Sequence, residues 1–189
     1  MKVLAICASS RKDGNTSILL KSVLDELQLK GIETELIQLA GKILEPCRAC
    51  WGCGGKGNCL NKNDCFCEIF EKMKDADGII LGSPVYSANV SSTMQALIER
   101  AAVVCDMNPE ILKYKVGASV TVATRTGCMQ ALDTMNHFFL NHDMFVVGSE
   151  YWNVAFGQAP GDVLNDEKAV ANMKKLALNM TFLMEKIKD

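Results

Sequence analysis

Two spacings of apolar residues alternate along this chain. The runs "KVLAICAS" (2–9), "DGIILGS" (77–83), "KVGASVTVAT" (115–124) and "MFVVGS" (144–149) are apolar almost without a break. Short runs of this kind predict strands buried on both faces. "ETELIQLA" (33–40) alternates polar with apolar, as a strand near a sheet edge does. Between these runs the spacing changes to that of a helix. Leu20, Val23, Leu24 and Leu27 share one face over 16–30, and Gly31 follows as a stop. "EIFEKMKDA" (68–76) predicts a short helix. "SSTMQALIERAAVV" (91–104) predicts another, with Met94, Leu97, Ile98 and Ala101 inward. "GCMQALDTMNHFFLNH" (127–142) and 166–186 predict the last two. In the closing helix Val170, Met173, Leu176, Met180 and Leu183 form a stripe that extends to Ile187.

Five strands separated by helices call for an α/β fold, a parallel sheet with helices on both faces and right-handed crossovers. Without repeats, low-complexity tracts or a linker, residues 1–189 read as a single domain. One stretch does not fit the alternation. Residues 41–67, inserted after the second strand, are cysteine-rich and carry no periodicity through residue 63. Irregular segments of that length inside a domain are usually functional.

Composition narrows the possible partners. A formal net charge of −2 argues against a nucleic acid, which requires a basic stripe. No segment approaches the roughly 20 apolar residues of a membrane span. The apolar part of "MKVLAICASSRKDGNT" is too short for a secretory signal, so a cytoplasmic location is expected. Nine cysteines in such a chain point to metal or redox chemistry rather than a disulfide framework. Their odd number also prevents complete pairing within the chain.

In parallel α/β sheets, ligands sit beyond the carboxyl ends of the strands. Three loops leave strands there. The first, 8–17, offers the hydroxyls of Ser9, Ser10, Thr16 and Ser17, the amide of Asn15 and the cation of Arg11, all at a helix N-terminus. Free N–H groups and the positive dipole end favour a phosphate there. The second, 82–92, offers rigid Pro84, flat Tyr86 and the amide of Asn89. The third, 123–130, carries Arg125 between Thr124 and Thr126, then Gly127 at a helix start. Each loop alone reads equally well as a polar turn. Together they suit a phosphorylated planar cofactor such as FMN.

The segment "PCRACWGCGGKGNC" (46–59) sets Cys47, Cys50, Cys53 and Cys59 in a C-x2-C-x2-C-x5-C spacing. Three uses compete: an iron–sulfur cluster, redox-responsive thiols, or zinc. Zinc prefers two separated C-x2-C knuckles, whereas strung-together cysteines are closer to cluster motifs. Interleaved glycines help a chain fold tightly round an inorganic core. Cys65 and Cys67 lie two apart at a helix start and cannot share a face, though either could replace Cys59. Trp51 would shield the loop from water or meet another subunit. Cys7 and Cys105 read as core, and His137 and His142 as surface or capping residues.

With "SSRKDGNT", the cysteine run, "EKMKDADGIILGSPVY" and "KVGASVTVATRTG" in view, the chain resembles the iron–sulfur flavoproteins of anaerobic archaea and bacteria. These form a branch of the flavodoxin-like NAD(P)H-dependent FMN reductases. The resemblance implies a doubly wound five-stranded sheet in the order 2-1-3-4-5 and an oxidoreductase activity. It implies that Ser9, Arg11, Asn15, Thr16 and Ser17 hold the FMN phosphate. Pro84, Val85, Tyr86 and Asn89 would line the isoalloxazine, and Thr124, Arg125 and Gly127 would close the site. Cys47, Cys50, Cys53 and Cys59 would bind a [4Fe-4S] cluster. Electrons would pass between a ferredoxin-like or NAD(P)H donor and a small-molecule acceptor. The resemblance also implies a homodimer or homotetramer in which one subunit's cluster approaches its neighbour's flavin. Two departures stand out: Ser10 replaces a common proline, and "NDCFC" replaces an Asp-Asp-Met sequence after the fourth cysteine. The competing readings are a cluster-free NAD(P)H-dependent FMN, quinone or nitro-compound reductase with redox-active cysteines, and a zinc-stapled module for a phosphorylated ligand.

Overall fold

A computed structural model describes residues 1–188. The apolar runs become strands β1 (Lys2–Cys7), β2 (Glu33–Gln38), β3 (Gly78–Pro84) and β4 (Val116–Ala123), all parallel and lying side by side as β2-β1-β3-β4. Every residue of β4 is buried, whereas in β2 only Ile37 is, in keeping with its alternating pattern and its edge position. Register brings the strand ends to one rim. Cys7 lies opposite Gly82, and Pro84 opposite Val122.

The fifth position holds two strands where the sequence predicts one. β5 (Phe145–Val146) pairs with Val116 and Gly117, and then the chain leaves the sheet. It returns as β6 (Val154–Phe156), parallel to Thr121–Ala123. Between them the Ser149 hydroxyl donates to the Tyr151 carbonyl (2.6 Å) and meets the Asn153 side chain (2.8 Å). That local bonding competes with the ladder and turns the chain outward. The order 2-1-3-4-5 therefore holds, with its outer strand interrupted.

Helices α1 (Asn15–Leu29) and α5 (Glu167–Lys188) cover one face, and α2 (Phe66–Asp75), α3 (Ser92–Asp106) and α4 (Cys128–Asn141) cover the other. Gly31 ends α1 as predicted. At φ +76° its N–H reaches the Gln28 carbonyl, while that of Ile32 reaches Leu27. All four inward residues predicted for α3 are buried. α2 starts at Phe66, two residues early, because that ring is fully buried and stacks on Phe70 at 5.6 Å. The stripe on α5 is rotated from the prediction. Met173, Leu176, Ala177, Met180 and Met184 are buried, while Ile187 is 39% exposed. A 3-10 turn (Asp162–Asn165) precedes α5. Among the described residues no helix is long and apolar enough to cross a membrane.

Candidate functional site

The loop after β1 enters α1 through Gly14, which supplies no side-chain cap. The first N–H groups of α1 thus lack the partner that Ser, Thr or Asp would bring. Around this helix end Ser9, Asn15 and Thr16 are buried, and Ser17 is fully buried with its hydroxyl unpartnered. A cleft of about 220 Å³ opens here. Ser9, Arg11, Asn15 and Thr16 line one end, Pro84, Val85 and Tyr86 one side, and Val122, Ala123 and Thr124 the floor. The open helix end is what a phosphate would satisfy, whereas the fully buried Ser17 does not line the cleft.

The remaining predicted residues stand around this cleft rather than on its surface. The Ser10 hydroxyl lies 2.9 Å from the Tyr86 hydroxyl and braces the ring. Asn89 exchanges backbone hydrogen bonds with Tyr86, and its side-chain oxygen accepts from the Val90 N–H (2.8 Å) and the Thr134 hydroxyl (2.9 Å). Its amide oxygen is therefore spent on holding the turn. Gly127 sits at φ +90°, and a Cβ there would come within 2.9 Å of the Ala88 backbone. Only glycine lets the second and third loops approach this closely. Arg125 is exposed beside the rim.

One wall was not legible in the sequence. Gly157 and Gln158, just after β6, line the cleft. The Gln158 carbonyl accepts from Arg11 Nη1 at 2.7 Å. Asn15 donates to the Ala159 carbonyl and accepts from the Gly161 N–H, both at 2.8 Å. The 8–17 loop is thus fastened to a segment almost 150 residues away (|i−j| = 147). No motif or periodicity marks 157–161; only the short apolar triplet Val154–Phe156 hints that a strand end precedes it.

The cysteine insertion lies along α3. Cys47, Cys50, Cys53 and Cys59 line one cavity of about 40 Å³, with Trp51, Leu60, Arg100 and Val103. Burial pushes the Cys53 thiol up, and the neighbouring Cys59, Cys47 and Cys50 add to that rise. Among the described residues no three His, Cys, Asp or Glu side chains converge as a single metal ion requires. Four cysteines on one cavity are a donor set that an iron–sulfur core would use. Cys65 and Cys67 are outside this group. The Cys65 thiol donates to the Ile43 carbonyl (3.1 Å), and that of Cys67 to the Cys59 and Asn61 carbonyls (3.2 and 3.3 Å). Trp51 lines the cavity yet stays 60% exposed. Cys7 and Cys105 are core, the latter with its thiol pushed up to about 12 by burial.

Comparison with known proteins gives the chain a family. The family profile for NADPH-dependent FMN reductases matches residues 1–159. An iron–sulfur flavoprotein of Methanocaldococcus jannaschii is 39% identical over 195 residues, spanning all of both chains. The chain belongs to the iron–sulfur flavoproteins of the NADPH-dependent FMN reductase family. Another member, from Methanosarcina thermophila, is 31% identical over 193 residues, again across both whole chains. Among solved structures, RosB with bound 8-demethyl-8-formylriboflavin-5'-phosphate superposes with a TM-score of 0.79 at 16% identity, covering 100% of this chain and 80% of RosB. Membership makes the protein an FMN-binding oxidoreductase whose work is flavin-based electron transfer.

Proposed function

We propose that this protein carries FMN in the rim cleft and a [4Fe-4S] cluster on the cysteine loop, and links a ferredoxin-like one-electron carrier to a two-electron acceptor. The observation that carries this reading is the gathering of the Cys47, Cys50, Cys53 and Cys59 thiols on one cavity, in the same chain as a cleft with an open helix N-terminus. When bound, the flavin exchanges one or two electrons and the cluster exchanges one, which joins the two kinds of carrier.

The residues divide that work. The N–H groups opening α1, with Ser9, Ser10 and Thr16, receive the phosphate, and Arg11 adds positive charge at the cleft edge. Asn15 holds the 159–161 wall beside it. Pro84, Val85 and Tyr86 lie against the ring system, with Asn89 and Gly127 fixing the shape of their loop. Thr124 floors the cleft, and Arg125 favours negative charge on a reduced ring. RosB, which shares the fold, was solved with a flavin phosphate, and this supports the cleft as the FMN site. NAD(P)H is a second donor for the same cleft. The chain acts as one cytoplasmic domain assembled into a homodimer or homotetramer. Trp51 and Leu60, 60% and 55% exposed beside the cysteines, support a subunit contact there.

Replacing a thiol tests the division. Cys50→Ser, purified without oxygen, retains FMN but loses iron, and a reduced ferredoxin then no longer bleaches the flavin absorption. Equal bleaching in Cys50→Ser and the native chain would instead establish the cluster-free reductase.

A further inference from the structure

Arg100 belongs to none of the motifs above, yet it is the most deeply enclosed cation near the cysteines. Its side chain is 2% exposed, and that of its partner Asp64 is fully buried. A buried charge is unfavourable unless its hydrogens and lone pairs are met. Arg100 meets them on the cysteine insertion alone. Nη1 donates to the Asp64 carboxylate and to the Glu45 carbonyl (3.2 Å), and Nη2 to the Asn61 carbonyl (3.1 Å) and the Cys59 sulfur (3.3 Å). The guanidinium also lies 4.2 Å from the centre of the Phe66 ring. Asp64 completes the clasp. Burial raises its carboxyl, but the Glu45 N–H, the Arg100 guanidinium and the Phe66 N–H together bring it below the usual range. The preceding residue, Glu99, accepts the Cys47 N–H at 3.0 Å. Consecutive residues of α3 therefore hold the first and last cysteines of the motif.

Resting on the iron–sulfur reading of this loop, we propose that Arg100 is a positioning residue that selects Cys59 as the fourth cluster ligand and sets the potential at which the cluster accepts an electron. An N–H from a cation held in place by Asp64 and two backbone carbonyls fixes where the Cys59 sulfur points, as outer hydrogen bonds orient metal ligands. Cys67, eight residues on, has its thiol turned to two carbonyls instead. A guanidinium against a ligand sulfur also favours the electron-rich state, because hydrogen bonds to sulfur and local charge both tune such potentials.

The test uses Arg100→Lys, Arg100→Met, Cys67→Ala and the double variant Asp64→Asn/Arg100→Met. The double variant leaves no lone buried charge and so guards against simple misfolding. In anaerobically reconstituted protein, the midpoint potential is read by potentiometric titration of the cluster signal. The proposal expects the double variant to bind iron but shift its reduced-to-oxidised ratio about tenfold toward oxidised at fixed potential, about 59 mV for one electron. Arg100→Lys recovers part of that shift, and Cys67→Ala keeps its iron. An unchanged potential in the double variant, or iron lost from Cys67→Ala, overturns the proposal. In cluster-free protein, protease cleavage within 45–66 is expected to be about tenfold faster in Arg100→Met than in the native chain. If the native chain binds no iron at all, the cluster reading itself fails. This cleavage measurement then decides the positioning role alone, and unchanged rates would overturn it.

Discussion

Backbone strain and buried charge mark out single residues that a hydrophobicity pattern passes over. Ala49 and Trp51, between the first three cysteines, hold φ at +49° and +55°; Ser87 and Ala88, at the tip of the ring-facing loop, hold +48° and +64°. Such conformations cost about 1–3 kcal/mol each and persist where surrounding structure enforces them. Both pairs fall in loops assigned to cofactors, while Glu110, Tyr114 and Asp143 hold positive φ elsewhere in the chain. His142 is another such residue. The sequence places it at the end of a helix, and its N–H does close α4 on the Phe139 carbonyl. Its depth was not legible, however: the ring is 5% exposed and packs edge-on against Phe138 at 5.0 Å. Burial lowers its pKa, against the opposing influence of Asp106 and Asp143. The folded chain therefore keeps this imidazole neutral where the unfolded chain protonates it. Its contribution to stability is complete above about pH 6.5 and is lost as pH falls through the lower folded value. Thermal midpoints measured from about pH 7.5 down to about pH 5.5 are expected to fall more in the native chain than in His142→Asn. Parallel curves would show that His142 does not govern this range.

Among the elements, the segment after β6 shows most clearly what pattern reading leaves out. β4 is predicted to within a residue or so at each end because buried parallel strands leave a continuous apolar record. β6 is three residues long, and the wall it delivers, 157–161, is held by backbone groups whose partners lie in the first loop. The resemblance assigns Asn15 to the phosphate; in the structure Asn15 lines the cleft and its amide also holds that wall. Asn15→Ala removes both bonds and leaves the Gly161 N–H and Ala159 carbonyl short of a partner, at a cost of about 1–3 kcal/mol. For a chain of this size that corresponds to a thermal midpoint lower by roughly 2–12 °C. The loss should be larger with FMN than without, because the wall also confines the ligand. Calorimetry on both forms checks this, and an unshifted midpoint would return Asn15 to a purely ligand-facing role. Arg100 escaped the sequence reading for a related reason: on a helical wheel an arginine reads as solvent-facing, and only the folded insertion reveals its partners.

For the whole molecule, α3 is the element that joins the two sites. At its start Ser91 accepts the Met94 N–H (3.2 Å) and donates to the Ala8 carbonyl (3.0 Å), which fixes the helix to the end of β1 beside the cleft. Nine residues later, roughly 14 Å along the axis by helical rise, Arg100 grips the cysteine loop. One rigid helix thus sets the spacing between the rim cleft and the thiols within a chain. The individual strands and the cysteine motif were legible because each is local in sequence, and the sheet order followed from the family resemblance. The interrupted edge strand, the far wall and the clasp were not, because each depends on contacts between distant segments. Composition decides whether one chain carries both FMN and an iron–sulfur cluster. Protein purified and analysed under nitrogen is predicted to contain about one FMN, about four iron and about four acid-labile sulfide per chain. FMN without iron and sulfide, or zinc without flavin, would contradict it.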